Sequence, residues 1–464
     1  MIENPLSILA YASAWSAGYL FLKTIRFNSS RVEKASLSLL VGLFLQSWLT
    51  FLVGLFGFSL SKSFFLSADI LLTLLALLML CKNLDRAVPP QHKNESKKEI
   101  LFFRISCVIL VLYFFMHAVI NAERVVSFTD AVMSYDFRAK AIAYEGKVLT
   151  SVYGWPEVRT PNFMYPPLIT MFNAHYYVLG GKNPKLIYSL LLLATSGITA
   201  SCVWRLSQNR IATILSASFM AFLPVVRKFS LLEALDFPAL AFYTLGVTEL
   251  VLYDFEKKGQ RLLLSAVGLS GVVFLRPEDP IFFLGVLTVV LSHFGIRKEG
   301  WRVVFVLCAV YAAVYGSHQY FVRVLVGANP EAQLSLNAAT LFSPTRIFET
   351  LWAFVRHFSS DRFMLLGPFT IFLMMFGGKD PKTGPLLSGL LTAFCLSWIT
   401  LLLVDNAGDW KEMRLEWSYF RIFIRITPLF ILYALRHPMV LNGLDEFFKD
   451  GKKASTLGAV NSSV

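Results

Sequence analysis

The stretch that follows Thr129 carries Asp130, Ser134, Asp136, Arg138 and Lys140 at helical spacing. It holds no Gly or Pro and is rich in good helix formers, which predicts a short surface helix from about Asp130. Asp130, Ser134 and Arg138 then share one face at i, i+4 and i+8. Asp136 and Lys140 are i, i+4 with the acid first, the favourable order for a local ion pair. A surface pair is the plainer reading of Asp136. Asp130 has no cation four residues on. It follows an apolar turn, where it suits a helix cap, and a capping carboxylate is still free to act as a proton acceptor.

Other charged groups gather in loops between apolar runs. Arg227, Lys228, Glu233 and Asp236 lie in one loop, and Arg276, Glu278 and Asp279 in the tight turn from Leu275 to Pro280. Arg421 and Arg425 stand at the mouth of the last apolar run. A single arginine at a helix end can snorkel to lipid headgroups. Several converging from separate loops suit a lipid-linked phosphate or pyrophosphate instead.

The elements that must position these groups are membrane helices. The chain has 464 residues, 56% hydrophobic and only 16% charged, against about 25% charged in a soluble domain. Its mean hydropathy is +0.59. Apolar runs recur from end to end, and runs such as 70–80 are continuous rather than alternating, so helices are expected and not a barrel. The expected fold is an all-α polytopic membrane protein. Its candidate spans are 6–25, 35–57, 64–81, 100–120, 186–204, 211–226, 237–253, 262–275, 280–294, 302–322, 363–377, 385–404 and 422–436, about thirteen with a range of roughly 11–14.

The net charge of +13 does not point to nucleic acid, because the basic residues sit in short loops as the positive-inside pattern requires. Lys23 to Lys34, Lys82 to Lys98, Arg205 with Arg210, Lys257 to Arg261 and Arg297 to Arg302 all fall inside if the N-terminus is outside and 165–180 does not cross. That segment is short and carries Asn173, His175, Tyr176 and Tyr177 in its middle. It is therefore expected to lie along the membrane surface, within an external region 121–185. The expected organisation is three N-terminal helices and a basic cytoplasmic loop in 1–99, a catalytic membrane module in 100–436, and a cytoplasmic tail in 437–464. Cys81, Cys107, Cys202, Cys308 and Cys395 read as small core residues. Tyr144, Tyr153, Trp155 and Trp410 suit either sugar stacking or an interfacial aromatic belt.

Together these motifs resemble the GT-C superfamily of membrane glycosyltransferases, near the bacterial arm related to aminoarabinose and protein O-mannosyl transferases (family-39-like). Asp130, with Tyr135, Arg138, Ala139 and Lys140, is similar to that group's Asp followed by a Trp and a Lys-Ala-Lys. Tyr165-Pro166-Pro167 resembles its Tyr-Pro start of a juxtamembrane helix. Asp236 before Pro238, Arg276 before Glu278, and Ser418 before Arg421 resemble later elements in the same order. Tyr135 replaces the usual Trp and Arg276 a commoner Lys. The three helices of 1–99 come before the part that resembles the family.

The resemblance implies an inverting transfer of sugar from a polyprenyl-phosphate donor to a lipid, glycan or protein acceptor on the non-cytoplasmic side. It implies Asp130 as general base, and Arg276, Arg227, Arg421, Arg138 and Lys140 as phosphate-binding cations. Asp236, Glu278, Tyr165, Tyr135 and His175 are further site candidates. No His, Cys, Asp or Glu spacing suits a metal, so no obligatory cofactor is expected, although some of the superfamily use a divalent ion. The implied setting is a bacterial cytoplasmic membrane, with the N-terminus outside and the C-terminus inside. A transporter or flippase of a lipid-linked saccharide is the alternative. It would also need intramembrane charges, but no inverted repeat or matched broken helices are visible.

Overall fold

The computed structural model describes residues 4–81, 96–124, 126, 131–155, 165–276, 279–328, 344–358, 361–364, 366–377, 384–403 and 411–448. Among them the protein is helical, with no strand. Four long helices open the chain: α1 (Ile8–Thr24), α2 (Arg31–Leu55), α3 (Lys62–Cys81) and α4 (Lys97–Glu123). Two start at serine N-caps, where the Ser30 hydroxyl accepts from the Glu33 amide and the Ser96 hydroxyl from the Glu99 amide. The short helices α5 (Asp136–Glu145) and α6 (Leu168–Val178) follow. Then come α7 (Leu186–Ser207), α8 (Arg210–Phe222), α9 (Pro224–Leu231), α10 (Asp236–Glu256), α11 (Gly259–Val273), α12 (Asp279–Phe294) and α13 (Lys298–Gln319). The chain ends through α14 (Pro344–Phe358), α15 (Leu366–Phe376), α16 (Gly384–Leu403), α17 (Lys411–Arg436) and α18 (Pro438–Phe448).

Each expected apolar span coincides with a helix. Among the described residues, six helical stretches have the length and apolarity to cross a membrane, or up to eight if each of two bent pairs is one span. Residues 211–226 are not one straight element. α8 and α9 meet at 52°, because Pro224 cannot continue the helix before it. The expected tail, 437–464, begins with α18.

α10 is the axis of the core: every residue from Asp236 to Tyr253 is buried. α7, α11 and α17 pack around it, and α1 and α2 join the same continuous core. The α1–α2 contact depends on small residues, since a Cβ at Gly42 would collide with the Ala14 carbonyl and one at Gly18 with that of Ser38. Close backbone approach through small residues is how helices associate where lipid supplies no hydrophobic drive. α3 and α4 present Leu71, Leu74 and Leu78, and Val111, Leu112 and Phe115, outward, a lipid-facing perimeter. Cys202 is buried, Cys107 and Cys308 are partly buried and pack against the core, and Cys81 is exposed, so the small-core reading fails for Cys81.

One expectation for the 121–185 region changes. The helix after Asp130 is not a surface helix. A π-helical turn, Ala131–Tyr135, leads into α5, whose Asp136, Arg138, Ala139 and Ile142 are all buried. Segment 165–180 contains α6, which is packed by α5, α2, α1 and α3, with residues 168–176 all buried. Its polar His175 and Tyr177 have protein partners.

Candidate functional site

Asp236 is the first residue of α10 and is fully buried. Three arginines reach it from two other elements. Arg276, in the last turn after α11, places its guanidinium 2.6 Å from Oδ1. Arg421 and Arg425 lie one turn apart on α17, so both face α10. Arg421 Nε donates to Oδ2 at 2.7 Å, and Arg425 to Oδ1 at 3.3 Å. Each guanidinium presents its N–H donors in a planar fork. The cluster opens on the side of Arg421, whose side chain is 25% exposed while that of Arg425 is 1%.

The segment 131–185 joins this cluster through Tyr165. The Arg276 guanidinium stands 5.8 Å over the Tyr165 ring. The Tyr165 carbonyl accepts from Arg138 at 2.8 Å, and Arg138 also donates to the Thr170 hydroxyl. The Leu168 amide donates to the Phe274 carbonyl, two residues before Arg276. Tyr135 lies beside Tyr188, whose ring stacks on Phe237 next to Asp236. A buried Lys185–Glu233 pair ties the start of α7 to the segment just before Asp236. Tyr135, Arg138, Tyr165, Asp236, Arg276 and Arg421 thus form one contiguous region, with Arg425 added to it.

Other candidates stand elsewhere. Asp130 and Glu278 lie outside the described residues. Arg227 is exposed on α9 and makes no ion pair among the described residues. Lys140 is 60% exposed and bonds Asp136 at 2.9 Å. That pair is not a simple surface pair, because Asp136 is 1% exposed and also accepts from Tyr177 at 2.5 Å. Burial, then the Asp136 charge, pushes the Tyr177 phenol well above its ordinary range, so it stays a donor. Arg138 is a buried tether between α5 and α6, so its role in the cluster is indirect. His175 belongs to a separate buried pair with Asp69 of α3. Asp69 escaped the sequence reading, although an acid in the apolar run Phe64–Leu80 was itself a signal.

The far end of α10 carries a second network. Arg261 is fully buried and bonds Glu33 at 2.6 Å and Glu249 at 2.9 Å, while Arg205 bridges Glu33 and Glu256. At 1.5 Å rise per residue this network lies about 20–30 Å along α10 from Asp236, comparable to a hydrocarbon core. Arg205 and Arg261 are therefore paired helix-end residues rather than free loop cations.

Among the described residues no group of three or more His, Cys, Asp or Glu side chains is placed to hold a metal ion. No protein-family model, no curated protein and no solved structure matches this chain.

Proposed function

We propose that this membrane protein is an inverting glycosyltransferase of GT-C type, with about thirteen spans, that takes sugar from a polyprenyl-phosphate donor. The observation that carries this reading is the convergence of Arg276, Arg421 and Arg425 on Asp236, beside Tyr165 and α5. Guanidiniums in a fixed fork geometry recognise phosphate through paired N–H donors. Asp236 holds the three forks together, so little rearrangement is needed when phosphate binds at the Arg421 side.

In the reaction, the acceptor hydroxyl oxygen attacks the anomeric carbon. Its proton passes to the Asp130 carboxylate, a step typically worth about 10²–10⁴ in rate. The bond from the anomeric carbon to the phosphate oxygen breaks, and its electron pair leaves with the phosphate. That leaving group is already a stable anion, so no general acid is required, and the arginines stabilise the charge it gains. The acceptor is a lipid, glycan or protein hydroxyl at the non-cytoplasmic face, and the setting is a bacterial cytoplasmic membrane.

The test is to incubate the purified protein with radiolabelled polyprenyl-phosphate sugar in vesicles. An enzyme transfers or hydrolyses the sugar. Movement of intact donor between leaflets, with no sugar released, would make the protein a transporter and end this reading.

A further inference from the structure

One polar cluster plays no part in the chemistry above. Asp69 and His175 are 1% and 2% exposed and meet at 2.8 Å through Oδ2 and Nε2. The Gln46 carboxamide nitrogen lies 2.8 Å from His175 Nδ1 and also donates to Ser13 at 2.7 Å. Phe65 stacks on the imidazole at 4.1 Å. Four helices, α1, α2, α3 and α6, thus enclose one imidazole in a largely apolar setting. An ionisable side chain inside a membrane-spanning bundle is costly and marks function more often than packing.

The hydrogen bonds set the proton positions. A carboxamide N–H₂ can only donate, so Nδ1 is the acceptor and the ring proton sits on Nε2, facing Asp69. The Gln46 Oε1 atom is buried without a hydrogen-bond partner. Turning the carboxamide over would present that oxygen to Nδ1, which could then carry a second proton. Ser13, which now donates to the Ala10 carbonyl, can turn to donate to the same oxygen. Each ring nitrogen therefore has a partner with a neutral imidazole and, after that turn, with an imidazolium beside the Asp69 carboxylate.

We propose that Asp69, His175 and Gln46 form an intramembrane proton-binding site that sets the position of α5 through α6. The proposal goes beyond the glycosyltransferase reading and does not depend on it. α6 carries His175, and it also carries the two side chains that hold α5: Tyr177, which bonds Asp136, and Thr170, which bonds Arg138. Four helices pack on α6, and each contributes identifiable groups. α3 brings Asp69, α2 brings uncharged Gln46, and α1 brings Tyr11 and Ser13. The charged groups of α5 are Asp136, Arg138 and Lys140, which bond Tyr177, the Tyr165 carbonyl, Thr170 and one another rather than the imidazole. Asp69 is the charged group in hydrogen-bond contact with the ring. Gaining a proton turns a net negative pair into a neutral ion pair, so the ring is drawn toward α3 and pulls α6 with it.

The test uses full-length protein in nanodiscs with its seven histidines carbon-13 labelled in the ring. One ring signal should respond to pH in the wild type and be altered by substitution of Asp69. In Asp69→Asn the same signal should show at least tenfold weaker proton affinity. Hydrogen exchange across 136–145, corrected for the intrinsic pH dependence, should change over the same pH range in the wild type and not in Asp69→Asn. Should Asp69→Asn fail to fold, Gln46→Leu takes its place, because it removes the acceptor for the second ring proton and weakens affinity in the same direction. The proposal is overturned if no signal altered by these variants titrates, or if exchange in 136–145 ignores the transition. A purely structural pair would give both of those results.

Discussion

Arg276 and Asp236 meet at 2.6 Å across 40 residues of sequence, and Asp236 is wholly enclosed. The pair closes the end of α11 onto the start of α10 and fixes where Arg421 and Arg425 converge. Breaking a buried pair from one side strands a charge, at a cost of about 3–5 kcal/mol. Asp236→Ala should therefore lower the melting temperature in detergent markedly, more than Arg421→Ala, because Arg421 is partly solvated. Equal and small losses in both would show that the cluster does not hold these helix ends together.

Arg276 is also assigned to the donor. Arg276→Ala should weaken polyprenyl-phosphate binding by roughly ten- to a hundredfold, the worth of a charge-assisted contact. Arg276→Lys restores the charge but not the fork, so partial recovery measures how much bidentate geometry matters. Equilibrium binding of labelled donor reads both. Unchanged affinity in both variants would make Arg276 a structural residue only.

Asp136 was expected to be a surface partner of Lys140, which would make its substitution nearly silent. Its burial and the Tyr177 contact change that expectation. Tyr177→Phe should cost about 1–3 kcal/mol, because it leaves a buried carboxylate oxygen without its donor. Lys140→Ala should cost much less, its side chain being largely in solvent. Comparing the unfolding of the two variants in urea decides which contact anchors α5.

The α1–α2 seam offers a test of the fold alone. Gly42→Ala sets a methyl against the Ala14 backbone, a collision that only separation of the two helices relieves. Overpacking of this kind costs about 1–3 kcal/mol. A melting temperature equal to that of the wild type would show that these helices are not in backbone contact.

Much of the site was readable because topology does part of the assembly. Asp236, Arg276 and Arg421 sit in loops expected on one side, and helices that begin and end there bring them close. The break after Leu223 had a signal in Pro224, although 211–226 was expected as one span. What local periodicity could not supply were partners from remote helices. Asp136 looked like half of an i, i+4 pair because Tyr177 lies 41 residues away. Arg205 and Arg261 looked like free loop cations because Glu33 comes from α2, 172 and 228 residues earlier. α6 looked interfacial because it is short and its polar side chains had no visible partner; Asp69 and Asp136 supply partners from remote positions.

The central claim is that a sugar leaves a lipid phosphate as Asp130 takes the acceptor proton. The most direct measurement compares turnover and donor binding in the wild type and in Asp130→Asn. Asn matches Asp in size and caps a helix about as well, but it cannot accept a proton at neutral pH. The account predicts that donor binding is retained while transfer falls by at least about a hundredfold. Full transfer activity in Asp130→Asn would contradict it and move the base elsewhere.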